Sequence, residues 1–471
     1  MKQNHWVLAF VLFFTAILTC SCSDDKISTS SSDKLSFSAE TVSFDTVFST
    51  ITSVTAKIKV YNHNSDAVNI SSISLGGGSN SNFKINVSGR TSSSQSFSDI
   101  ELRAKDSMYI FVNITVNPTS QNSPVLIKDS IRFTINGNQQ YVNLAAYGQD
   151  VIILRNKNIT TDTTLTGEKP FLIYGNLTVA QGKTLTVTQG CKLYFHYNAE
   201  VVINGNLNAV GTLDKPIVFR GDRMDYLFEG VPYDTLSGQW KGIRLNSPTG
   251  VHNMEYVTIK SAKTGIAITG SSSATPQLTI KNSTIHNMDS CGIMAQNANI
   301  TAINNQISNC AQNCIYLLGG SYNFIHCTIA GYYPTVGRKD VAVQIRNYDS
   351  SNALYPISEA NFKNCIIFGS YSNEVSLKNN TNATFGVNFF NCLIAGSSST
   401  DSYYTNTVWG NYTQTVFVNT LTYPYNFKLH QSSPAINTAD MTVANLYPTD
   451  KNGVSRVADE KADIGAYEYV P

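Results

Sequence analysis

The sequence is short of charge. Asp, Glu, Lys and Arg make up only 14% of its 471 residues, and the signs cancel, 33 basic against 32 acidic. Such a balance gives no basic footprint for nucleic acid and no acidic block of the kind that solvates a disordered tail. Beyond Leu18 no stretch is apolar enough to cross a membrane as a helix. Gly-rich phosphate loops, zinc-ligand spacings and a Ser/His/Asp arrangement are also missing, so neither cofactor nor metal is expected. Seven of the nine cysteines lie beyond Cys22. An odd number leaves at least one thiol unpaired, which argues against a disulfide framework.

What is present is Ser, Thr and Asn in place of charge, with 25 Tyr and 22 Phe, a composition suited to β structure. The chain is too long for one compact core, so it holds at least two domains or a solenoid. Its first residues stand apart. Lys2 and His5 precede the apolar run Trp6 to Leu18, which ends in Leu18-Thr19-Cys20-Ser21-Cys22. This resembles a bacterial lipoprotein signal, with Thr19 where such signals usually carry Leu. The resemblance implies lipidation at Cys22, since small Ser21 precedes it and bulkier Thr19 precedes Cys20. Residues 1–22 are then the signal and 23–34 a Ser-rich tether. Ser23-Asp24-Asp25-Lys26 resembles the acidic tag that sends some lipoproteins to the outer face of the outer membrane; the plain alternative is a solvated linker. The implied location is the outer membrane facing the cell exterior, with membrane lipid as the anchor's partner.

Residues 35–150 read as an antiparallel sandwich. Alternating runs such as Val54–Val60, Tyr109–Val116 and Asp129–Ile135 are separated by turn signals at Asn62-His63-Asn64, Gly76-Gly77-Gly78 and Asn136-Gly137-Asn138. Phe44-Asp45-Thr46-Val47, Asn62 and the closing Leu144 to Gly148 resemble immunoglobulin-like domains of the ASPM/SPD-2/Hydin type. Such modules are spacers or binding platforms, and no catalytic constellation shows in this one.

From Val151 the texture becomes repetitive. Lys281-Asn282-Ser283-Thr284-Ile285 recurs in variant form around Ile307, Ile329, Ile367 and Ile394, at intervals of 22, 22, 38 and 27 residues, with a weaker copy at Ile259. Intervals in the twenties with irregular insertions fit one coil of a parallel β-helix, its coils stacked about 4.8 Å apart. The Asn three before each Ile suits a left-handed turn. The next position should point inward and form a buried ladder of Cys327, Cys365 and Cys392, structural rather than redox-active or metal-binding. A second ladder falls at Gly265–Ile268, Gly292–Ala295 and Cys314–Leu317, continuing at Val341–Ile345 and Val375–Leu377.

With these ladders on the page, residues 151–430 resemble right-handed parallel β-helix repeat proteins of the pectate-lyase-like superfamily. Phe219-Arg220-Gly221-Asp222-Arg223 and Gly238-Gln239-Trp240-Lys241-Gly242-Ile243 resemble a lipoprotein subgroup, in which Gly often stands at the position of Lys241. Ser433-Pro434-Ala435-Ile436, Asp450, Gly453, Arg456 and Asp463-Ile464-Gly465-Ala466-Tyr467-Glu468 resemble that subgroup's closing motif. They imply a C-terminal cap at 431–471, in which Asp450, Arg456, Asp463 and Glu468 form stabilising polar pairs. The expected fold is therefore all-β: an immunoglobulin-like sandwich, then a right-handed parallel β-helix with a C-terminal cap.

The superfamily includes polysaccharide lyases and glycoside hydrolases, which need clustered acids. Alternation along the second ladder points Ala267, Met294, Tyr316, Gln344, Arg346, Glu374, Ser376 and Lys378 outward, and places Asp340, Asp349 and Glu359 in loops. This leaves no stacked acids, so no catalytic residue is assigned. Tyr316, Arg346, Lys378 and Trp409 are candidate ligand-binding residues for a polysaccharide, the aromatics as stacking platforms. The insertion Asp222–Lys241, with Asp225, Tyr226, Phe228, Glu229, Tyr233 and Trp240, is a second candidate surface. The expected function is a non-catalytic surface lipoprotein that binds glycans or other extracellular polymers or acts as a scaffold. The alternative is a polysaccharide lyase or glycoside hydrolase.

Overall fold

A computed structural model of the chain describes residues 26–228, 230–270, 275–334 and 337–471. The expectations for Cys22, the signal, residues 23–25 of the tether and Glu229 lie outside the described residues. The chain divides into two compact units between Asp150 and Val151.

The first unit is a sandwich, consistent with an immunoglobulin-like domain. One sheet runs in the order Ile27–Ser28, Ala67–Leu75, Val125–Ile135, Asn138–Gln149, Thr41–Phe48, with Ser96–Leu102 also paired to Ala67–Leu75. The other orders Ser36–Phe37, Ala56–Tyr61, Ser107–Ile114, Phe83–Val87 and Arg90–Thr91. Alternate residues point between the sheets, so Ile58, Val60, Ile70, Phe83, Ile110, Val112, Ile131 and Phe133 are fully buried. Asn136 and Gly137 both have positive φ, 46° and 82°, as a two-residue hairpin turn of the right twist requires. Asn62 is buried because its amide donates to the carbonyls of Asp66, Leu102 and Arg103. One expectation is corrected. Residues 26–34 are no free tether: Ile27–Ser28 pairs parallel with Ala67–Val68, and the Ser30 and Ser31 carbonyls accept from Asn136 and Asn138.

The second unit is a parallel β-helix of three sheets. Each coil visits sheet 1, sheet 2 and sheet 3 in turn, as in Val257–Lys260, Ile266–Thr269 and Leu278–Lys281. In sheet 1 the register stacks Ile259, Ile285, Ile307, Ile329, Ile367 and Ile394 in one inward column. Ahead of it stand Leu193 and Phe219, and Trp409 ends it. The turn before each Ile is left-handed: φ is 51° at Asn282, 54° at Asn304, 49° at His326, 51° at Asn364 and 52° at Asn391. Asn tolerates this conformation, and Asn304 also donates to Asn282 at 3.2 Å along the axis. The following position is buried in every coil, as Ser283, Asn305, Cys327, Cys365 and Cys392. The three cysteines are free thiols, and burial pushes Cys327 and Cys365 well above the usual thiol range.

Aromatic rings also stack between coils. Phe324, Phe362, Phe389 and Tyr404 follow one another at 4.8, 4.9 and 5.2 Å, nearly parallel, on the inner face of sheet 3. Such pairs add about 1 kcal/mol each to their burial. The two long strands Ile293–Ile303 and Ile315–Ile325 pass from sheet 2 to sheet 3 without a break, bending at Asn297 (φ 50°) and Gly319-Gly320 (φ 65° and 102°).

The C-terminal segment lies along a flank rather than over the last coil, where a cap was expected. The outward side chains of sheet 1, Ala330, Ile366, Phe368, Leu393 and Ala395, are apolar and buried beneath Val416, Phe417, Phe427, Leu429, Ala435 and Ile464. Polar groups then fix the segment along the turn ladder. Asn364 donates to the Asp440 carbonyl and accepts from its amide, Asn391 donates to the Thr438 carbonyl, and Asn304 donates to the Thr449 carbonyl. Arg456 is fully buried; it donates to Glu468 at 2.5 Å and to Asn304 at 3.1 Å, while Asp450 and Asp463 accept backbone amides. Covering the apolar outer face of sheet 1 takes these side chains out of water, which favours the placement.

Candidate functional site

Sheet 2 carries the candidate face. Its inward residues, Ile243, Ile266, Ile293, Ile315, Val343 and Val375, are buried, and the residues between them face outward. Register aligns Arg244, Ala267, Met294, Tyr316, Gln344 and Ser376 in one outward row. A second row, two residues further along each strand, holds Leu318, Arg346 and Lys378. Arg346 and Lys378 are therefore directly opposed on adjacent strands, and Tyr316 stands one coil back on the neighbouring row. Arg346 is half-buried: its Nε donates to the Tyr348 carbonyl at 2.6 Å, and its guanidinium lies 5.1 Å from the Tyr348 ring centroid. Lys378 is exposed.

At the other end of the row the cations cluster again. Arg244 forms a bidentate pair with Glu200, at 2.9 and 2.8 Å, and this raises its pKa through the Glu200 hydrogen bond. Beside it a cavity of about 260 Å³ is lined by Asn198, Glu200, Lys241, Arg244, Lys263 and Thr264. Gly242 permits this turn: at φ 113° its hydrogen lies against the Thr264 carbonyl, where a Cβ would come to 1.7 Å. The sequence motif around Trp240 thus delivers Lys241 to the face, a role its spacing did not announce.

Four expected positions are corrected. Trp409 is not on this face; it ends the inward column of sheet 1 and packs against Tyr404 at 4.9 Å, where an aromatic closes the open end of the core. Glu374 does not point outward with Lys378. It precedes the strand Val375–Lys378, in a turn where alternation no longer governs direction, and is fully buried on Arg338 at 2.5 Å. Glu359 is not in a loop but on the strand Ile357–Lys363 of sheet 3, accepting from Ser321, Asn323 and Asn361. Trp240 leaves the insertion surface: it is 1% exposed, stacked on Phe195 at 4.1 Å, with its indole donating to the Lys260 carbonyl. The remaining insertion is a hairpin, Tyr226–Phe228 against Val231–Pro232, with Tyr226 and Phe228 exposed. At its base Arg223 is held bidentately by Asp225 and lies over the Tyr233 ring at 4.0 Å.

The carboxylates near sheet 2 are dispersed. Asp340 accepts from Gln344 at 3.2 Å and Glu200 is engaged by Arg244. Among the described residues no three His, Cys, Asp or Glu side chains gather into a metal site. An aromatic ring, a thioether, amides and two cationic ends on a rigid sheet can bind a chain molecule through stacking, hydrogen bonds and charge.

Fold and face define the class: an all-β chain whose second unit is a parallel β-helix with one outward face left open beside a strapped one. Residues 241–420 match the family model described as a right handed beta helix region. No curated protein matches the chain. Among solved structures it is similar, over 26% of its length, to a family 123 glycoside hydrolase from Clostridium perfringens that hydrolyses glycolipid glycans, at 12% identity and a TM-score of 0.19. The chain spans 30% of that structure.

Proposed function

We propose that this chain is a non-catalytic cell-surface lipoprotein that holds an extracellular polysaccharide against the outer face of sheet 2. The observation that supports it is the register that sets Arg346 opposite Lys378, one coil from Tyr316. Like charges on directly opposed positions cost a little stability. A protein that keeps them on a face with an aromatic ring gains an attraction for an anionic polymer, which salt would screen. The lipid at Cys22 would fix the chain to the outer membrane and present this face outside the cell.

The test is retention of the detergent-solubilised chain on an immobilised acidic polysaccharide. Arg346→Ala with Lys378→Ala should abolish retention and leave the melting temperature unchanged or slightly raised. Unchanged retention by the double variant, or none by the parent on any polymer, removes the proposal. Release of new reducing or unsaturated ends from the polymer would replace binding by hydrolase or lyase activity.

A further inference from the structure

In the first unit, the sheet of Ser36–Phe37, Ala56–Tyr61, Ser107–Ile114, Phe83–Val87 and Arg90–Thr91 contains no Asp or Glu. Its central strands turn lysines and aromatic rings outward together. Register sets Lys57 opposite Phe111 and Lys59 opposite Tyr109, with Tyr61 two residues beyond Lys59 and Lys84 opposite Asn113. Lys59 is flanked by rings, its Nζ 5.2 Å from the Tyr61 centroid and 5.6 Å from that of Tyr109. Tyr109 and Phe111 stack at 6.2 Å and stay 43% and 39% exposed. Among the described residues none of the three lysines is paired with a carboxylate. The opposite sheet mixes signs, with Asp45 and Glu101 exposed alongside Lys128 and Arg132. In a chain whose charges cancel, 33 basic against 32 acidic, a face of one sign is a local departure.

The chemistry and the place of this face point to the same occupant. Tyr and Phe rings are favoured where one side is apolar and the other wet, and lysines carry their ammonium groups on apolar stems to the phosphates of such a boundary. Binding at a lipid interface grows with both apolar area and charge. The described chain enters at Lys26, whose Nζ pairs with Asp66 at 3.6 Å and whose carbonyl accepts from the Ala67 amide at 3.0 Å. Asn62 donates to the Asp66 carbonyl at 2.9 Å, and Tyr61 and His63, stacked at 5.4 Å, flank Asn62. The chain therefore enters at the Tyr61 end of the face. The five steps from Cys22 to Ile27 can span at most about 18 Å. A lipid on Cys22 would hold the face within reach of the bilayer, where tethering makes even a weak contact effective.

We propose that this face docks the first unit on an anionic lipid surface, with Lys57, Lys59 and Lys84 on headgroup phosphates and Tyr61, Tyr109 and Phe111 at headgroup level. The docking goes beyond the sheet 2 reading and rests on it only for the lipid at Cys22.

The experiment is co-sedimentation with vesicles of phosphatidylglycerol and phosphatidylethanolamine in equal parts, using the chain made without residues 1–22, which keeps every described residue. With no lipid attached, binding reports the face and not the anchor. The chain should sediment with these vesicles at low salt, less at high salt, and not with vesicles of phosphatidylcholine alone. Lys57→Gln with Lys84→Gln should weaken binding about thirtyfold without changing the melting temperature. In Phe111→Trp the new indole should enter the headgroup region, and its emission should shift to the blue when anionic vesicles are added. Arg346→Ala with Lys378→Ala should bind the vesicles as the parent does. No binding to anionic vesicles, equal binding to neutral ones, unchanged binding in the Lys57/Lys84 variant, or no shift in Phe111→Trp emission overturns the docking. Retention on an acidic polysaccharide that the Lys57/Lys84 variant loses, without vesicle binding, overturns it in favour of a polymer. Self-association that this variant weakens overturns it in favour of a second copy. None of these results bears on the sheet 2 reading, which is decided by retention in the Arg346/Lys378 variant.

Discussion

Asparagine recurs at the entry to sheet 1 because two demands meet there, a left-handed backbone and a polar partner. Asn364 satisfies both: φ is 51°, and its buried amide spans Asp440 and His326. Asn364→Ala should lose both and cost about 2–4 kcal/mol, whereas Asn364→Gly keeps the backbone and should cost less. Denaturant midpoints of the two variants decide it; equal losses would mean the backbone conformation counts for nothing. His252 poses the opposite problem. It sits inward between Leu207 and Leu278, 1% exposed, with neither ring nitrogen bonded among the described residues. Burial lowers its pKa from 6.5 to about 4. The folded state therefore binds fewer protons than the unfolded one, and the contribution to stability is full above pH 6.5 and falls as pH drops toward 4. His252→Leu should flatten this acid limb and stabilise the fold more at about pH 5 than at about pH 8. A parallel downward shift of the whole profile would show that His252 has a native partner.

At the scale of elements, alternation within strands was readable and direction within turns was not. The Ile, Asn and Cys columns of sheet 1 and the order of sheet 2 were legible because each strand carries its own period of two. The directions of Glu374 and Trp240 are not legible in the sequence, because each stands just outside a strand, where burial depends on partners far away in sequence. Glu374 also shows what a turn insertion needs in order to stay down. Arg338, returning from the loop after sheet 1, donates to Glu374 and to the Gly331 carbonyl and lies 4.3 Å from the Tyr371 ring, with both charged side chains essentially inaccessible. Burial pushes the Glu374 pKa up, and Arg338 opposes the shift. Arg338→Ala leaves a buried carboxylate unpaired and should cost about 3–5 kcal/mol; Arg338→Met with Glu374→Leu should cost much less. A double-variant loss equal to the sum of the losses in Arg338→Met and Glu374→Leu alone would show that the pair is not coupled.

At the scale of the whole chain, the proposed anchor would set where the sheet 2 face acts. Cys22→Ala should leave the protein out of the membrane fraction or unprocessed, because it removes the proposed lipid attachment. Membrane partitioning with normal processing in this variant, lost instead in Cys20→Ala, would move the lipid to the other cysteine. The closing motif at Asp463–Glu468 is legible in the sequence, but the flank on which the C-terminal segment comes to rest is not. That depends on apolar residues such as Phe368 and Leu393, which read as ordinary strand residues until both their faces are seen to be covered.

A molecule tethered to a membrane at one end and holding a polymer along its side, as proposed, would bear load, and the C-terminal strap would decide how it yields. The leading coils, from Ile152 to Ile203, are joined to their neighbours through ladder pairings and should peel one at a time under tension. The later coils, from Asn304 to Asn391, are cross-tied by hydrogen bonds from residues as much as 161 positions away. No one of them can leave until the strap is stripped. Pulled from its ends in a force spectrometer, the solenoid should lengthen first in small steps of one coil each, then rupture in one large event. Deleting residues 431–471 should turn that last event into further small steps, making the strap the fuse that sets the breaking strength of the distal half.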